Sequence, residues 1–120
     1  MGAQKILATV ALLAALGTAH ATRVLEQPEV GYELTLQQLT LPSGATGGVT
    51  MKRCDECAYS THVLTGATQF YVNELPVPYD EFKRIVDEAR ADRRTTAFAG
   101  LFLDVETGRV TRVTLFQKGL

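Results

Sequence analysis

The chain has 120 residues, of which 46% are hydrophobic, with twelve basic side chains against thirteen acidic ones. That balance removes the basic excess a nucleic-acid binder needs. The length leaves room for one domain with one modest core.

Taken in chain order, the first feature is an export signal. Lys5 gives a positive start, Ile6 to Leu16 is apolar apart from Thr9, and Ala19-His20-Ala21 offers small residues to a signal peptidase. The apolar run covers about half of the ~20 residues a membrane-spanning helix requires. Residues 1–21 are therefore read as a cleaved secretory signal peptide. The mature protein is expected in the periplasm or outside the cell, not spanning a membrane. Removing Lys5 leaves eleven basic and thirteen acidic residues.

Residues 22–31, with Pro28 and no periodicity, read as a flexible leader, and 32–120 as a single domain. Tyr32, Leu34 and Leu36 alternate with polar residues. The phase slips at Gln37-Gln38 and resumes at Leu39 and Leu41, which predicts a β-bulge. Pro42-Ser43-Gly44 and Gly47-Gly48 mark a loop. A second strand is expected over Val49–Cys54. A third runs from Ala58 to Leu64, breaks at Gly66 and continues from Thr68 to Asn73, rich in β-branched and aromatic residues. Pro76 and Pro78 close it.

One helix follows. Tyr79, Phe82, Ile85, Val86 and Ala89 form an apolar stripe, with Asp80 and Glu81 at the start and Arg90, Arg93 and Arg94 at the end, the order the helix dipole favours. Asp80 with Arg84, Lys83 with Asp87, and Arg84 with Glu88 are spaced to pair. Ala97–Val105 is apolar on both faces apart from Asp104 and reads as the most buried strand. Gly108 is suited to positive φ in the turn before a last strand, Val110–Gln117. Short connections favour antiparallel pairing. The fold class is α+β: a small antiparallel barrel or sheet of five to six strands, with one helix before the last two, in OB-like order.

Chemistry concentrates at Cys54-Asp55-Glu56-Cys57. In an oxidising compartment the leading reading is a disulfide stapling a turn. A second is metal binding by Cys54, Cys57 and His62, the one histidine left after cleavage, with three ligands better suited to copper(I) than to a closed zinc site. A third is thiol-disulfide exchange. Flanking strands in place of a helix, and two acids between the cysteines, disfavour the thiolate that this needs. No hydrolytic constellation or phosphate loop is present. Phe70, Phe82, Phe98, Phe102 and Phe116 read as core. The expectation is a binding module for a protein or cell-envelope partner, without a cofactor. Its contact face is expected around Met51, Arg53, Tyr59 and Thr61, where an OB-like barrel binds.

Overall fold

The computed structural model describes residues 28–92 and 96–118. The expected signal peptide, most of the expected leader, and Arg93 and Arg94 lie outside the described residues. Among the described residues the fold is α+β, with two sheets and one helix around a single core.

Strand β1 (Glu29–Thr35) begins three residues earlier than the Tyr32 expected from the alternation. A single 3-10 turn over Leu36–Gln38 follows it, not a bulge. The turn is closed by the Thr35 amide donating to Gln38 Oε1 at 2.9 Å. The chain thereby leaves one sheet and enters another. β2 (Leu39–Thr40), β3 (Gly48–Lys52) and β4 (Tyr59–Val63) form a three-stranded antiparallel sheet.

The long third strand of the sequence reading divides between the two sheets. β5 (Gln69–Val72) joins β1, β7 (Thr96–Asp104), β8 (Val110–Lys118) and β6 (Leu75–Val77) in a five-stranded sheet of order β1-β7-β8-β5-β6. β5 lies parallel to β8, so this sheet is mixed, against the antiparallel expectation. Among the described residues there is no closed barrel. Residues 64–68, around Gly66, carry the chain from one sheet to the other.

β6 was not foreseen because it contains Pro76. As the sheet's edge it needs no ladder amide from that residue on its free side. A two-residue turn with positive φ at Asn73 (47°) and Glu74 (72°) joins it to β5. Asn73 is tied to β8: its amide donates to the Leu115 carbonyl, and its Oδ1 accepts from the Gln117 amide, both at 2.9 Å. The β7–β8 turn follows expectation. Gly108 has φ 72°, and Asp104 Oδ1 accepts from the Glu106 and Thr107 amides.

Helix α1 (Tyr79–Ala91) buries the predicted stripe of Tyr79, Phe82, Val86 and Ala89, with Ile85 partly covered. Lys83–Asp87 (3.0 Å) and Arg84–Glu88 (2.8 Å) pair on its outer surface, and Arg84 also reaches Glu81 at 4.0 Å. Such exposed pairs add only tenths of a kcal/mol, so burial holds the helix. Two side chains tie α1 to the start of the small sheet. The Tyr79 hydroxyl donates to the Pro42 carbonyl, and Arg90 donates to the Leu39 carbonyl. Burial, followed by repulsion from Asp87 and Asp80, pushes the Tyr79 phenol up to about 12.

The core gathers Leu34, Phe70, Phe82, Leu101 and Leu115 from the large sheet and helix, and Val49, Met51 and Leu64 from the small sheet and the segment after it.

Candidate functional site

Alternation along β7 separates two faces. Ala99, Leu101 and Leu103 are buried in the core, whereas Phe98, Gly100 and Phe102 point the other way. Registers with β1, β8 and β5 place three rows of side chains on this outer face. One runs Gly31–Phe102–Arg112–Gln69. The next runs Glu33–Gly100–Thr114–Tyr71, and the third Thr35–Phe98–Phe116. Phe98 and Phe116 stack with ring centroids 4.9 Å apart. The Arg112 guanidinium lies 3.9 Å above the Phe102 ring and pairs with Glu29 at 3.2 Å. This corrects the expectation that all five phenylalanines are core: Phe70 and Phe82 are buried, while Phe98, Phe102 and Phe116 are half-exposed on the outer face.

The middle row is low because it contains Gly100. A Cβ there would stand 2.9 Å from Thr114 Oγ1 and 3.1 Å from Phe102. A Cβ on Gly31 would stand 2.6 Å from the Phe102 ring. Phe102 therefore lies across backbone that only glycine leaves open. The result is a cleft of about 260 Å³ lined by Gly31, Glu33, Phe98, Gly100, Phe102 and Phe116. Beside its floor Thr114, 7% exposed, keeps a buried hydroxyl with no hydrogen-bond partner. Glu33 is exposed at the rim, its carboxylate in no ion pair or hydrogen bond among the described residues. The paired glycines and the Phe-x-Gly-x-Phe spacing of 98–102 were the signals available in the sequence.

No protein-family model, curated protein or solved structure matches this chain.

The residues singled out in the sequence do not converge. Met51 is 3% exposed and faces the core. It pairs with Ser60 across the ladder and cannot share a face with Tyr59 and Thr61. Those two stand on the outer surface of the small sheet, with Tyr59 62% exposed beneath Lys52 and Thr61 hydrogen-bonded to Thr50 at 3.2 Å. Arg53 belongs to the turn beyond β3 and lies over the Tyr32 ring at 5.4 Å. The contact face expected of an OB-like barrel is thus split between core, sheet surface and turn, because β3 and β4 pack one side inward.

Cys54 and Cys57 are bonded to each other, their Cα atoms 5.0 Å apart, in a turn closed by the Cys57 amide donating to the Cys54 carbonyl at 3.1 Å. The turn sits at the exposed tip between β3 and β4, and no helix starts at it. The dipole that depresses a reactive thiol pKa is therefore missing. Bonded sulfurs are not thiolates, so copper or zinc binding would first require reduction. His62, on the inward side of β4 opposite Val49, is hydrogen-bonded through Nε2 to the Ser60 hydroxyl at 3.1 Å. Among the described residues no group of three or more His, Cys, Asp or Glu side chains is placed to hold a metal ion.

Proposed function

We propose that this chain is an exported, non-catalytic binding module that meets a protein partner through the outer face of its five-stranded sheet. The supporting observation is the aromatic paving of that face: Phe98, Phe102 and Phe116 surround glycine backbone, and no described element packs over them. Aromatic rings offer large contact area at low entropic cost, and interface centres are enriched in them. The cystine agrees with an oxidising compartment. No helix among the described residues is long and apolar enough to cross a membrane.

The test is site-specific photo-crosslinking in the producing cells. A crosslinker at Thr96 or Thr35, on the rim of the face, should capture one protein. The same group at Arg84, on the outer surface of α1, should not. The purified partner should then bind the wild-type chain and lose affinity for Phe98→Ser. Equal capture from both surfaces, or capture of an envelope glycan or lipid in place of a protein, would overturn the reading.

A further inference from the structure

Resting on the outer-face reading, we infer that the cleft over Gly100 receives a lysine or arginine side chain from an extended partner segment laid along β1. Four observations lead there. The first is the lining, in which three phenylalanines and one carboxylate share a small cleft. Aromatic faces attract cations through the ring quadrupole, and a carboxylate beside them supplies the counter-charge. A neutral apolar group in the same place would desolvate Glu33 without compensation, and an anion would be repelled by it.

The second is that Glu33 is free. The neighbouring acid, Glu29, already receives hydrogen bonds from Arg112 and Thr111, whereas the Glu33 carboxylate has no partner among the described residues. The third is that the cation already seated on Phe102, Arg112 at 3.9 Å, is balanced by Glu29 at 3.2 Å, so the stacked Phe98–Phe116 pair beside Glu33 is the part of the cleft left for a second cation. The fourth concerns the source of the incoming cation. Among the described residues β1 is an edge strand, paired only with β7, so the backbone groups on its other side have no ladder partner there. A segment added there would direct alternate side chains to the outer face, beside Glu33. A freely diffusing amine or a lipid headgroup has no use for that edge.

The probe is an acetylated and amidated peptide of about seven residues, matched to β1 in length, with alternating valine and threonine and a central lysine. A second peptide carries norleucine in place of the lysine. Aromatic resonances of Phe98, Phe102 and Phe116 are followed on titration into the purified protein. The lysine peptide should shift all three and bind about fivefold more tightly than the norleucine peptide, and Glu33→Gln should abolish that difference. Equal affinity for both peptides, or a lysine preference that survives Glu33→Gln, would overturn the inference. The two proposals fail separately. Outer-face crosslinking without lysine preference leaves the surface standing and removes the cation. Lysine preference with no protein captured from Thr96 or Thr35 removes the protein-binding role and leaves a cation site.

Discussion

Thr114→Val should stabilise the protein, although it deletes a polar group from the middle of a strand. Thr114 sits on β8 between Arg112 and Phe116, opposite Gly100 on one side and Tyr71 on the other. Its hydroxyl is buried and unpartnered. A buried polar group without a hydrogen bond costs about 1–3 kcal/mol relative to its solvated state. Valine keeps the shape and replaces the hydroxyl with a methyl worth about 0.8 kcal/mol on burial. The gain is reduced by crowding, because that position abuts the Gly100 backbone closely enough that a Cβ there would be only 2.9 Å away. The net expectation is about 1–2 kcal/mol of added stability. With a urea m-value of about 1 kcal/mol/M for a domain of this size, the unfolding midpoint should rise by at least about 1 M with m unchanged. A lower midpoint would show that the hydroxyl is satisfied in the folded protein and would refute this account of the cleft floor.

Four further outcomes follow from the same geometry. Glu74→Gly should raise stability by about 1 kcal/mol in urea unfolding, since Glu74 holds a left-handed backbone that glycine adopts freely. Replacing Cys54 and Cys57 together by serine should lower stability by at most about 2 kcal/mol, the limit for so short a loop, and leave the circular dichroism of the folded state unchanged. Gly31→Ala should displace Phe102 from its seat and weaken partner binding more than it weakens folding, read by binding and urea curves on the same preparation. Tyr79 should ionise near 12 in an ultraviolet titration, a component absent from Tyr79→Phe. Because its folded pKa lies above the unfolded value of about 10, the Tyr79 contribution to stability is complete below pH 10 and is lost as pH rises toward 12.

Local patterns were legible and long-range pairing was not. The stripe on α1 and the glycine at the β7–β8 turn are decided by residues three or four apart, and both are found where the sequence places them. The run from Ala58 to Asn73 reads as one interrupted strand because each half alternates properly. Nothing local tells that its halves belong to different sheets, or that β5 meets β8 in parallel. The disulfide at the tip of β3–β4 was legible from the cysteine spacing and the expected export together. The outer face of β7 was not legible, because an apolar pattern on both faces reads as burial on both sides, whereas its second face carries Phe98 and Phe102 half-exposed beside Gly100.

That misreading points to what sets the outer face apart. Stability alone would favour β-branched residues at Gly31 and Gly100, a satisfied or apolar side chain at Thr114, and polar residues where the three phenylalanines stand. Each departure is minor by itself, about 1 kcal/mol or less for a strand glycine and somewhat more for the orphan hydroxyl. They do not scatter over the molecule: all lie in three adjacent rows on one side of one sheet. Outside this face the helix exterior is charged and the cystine is paired at the exposed tip, while Glu74 holds a left-handed backbone in the β5–β6 turn. Departures gathered on one patch are expected where a surface is shaped for contact. On the reading proposed above, the Glu33 carboxylate at the rim of that patch would give the contact its sign.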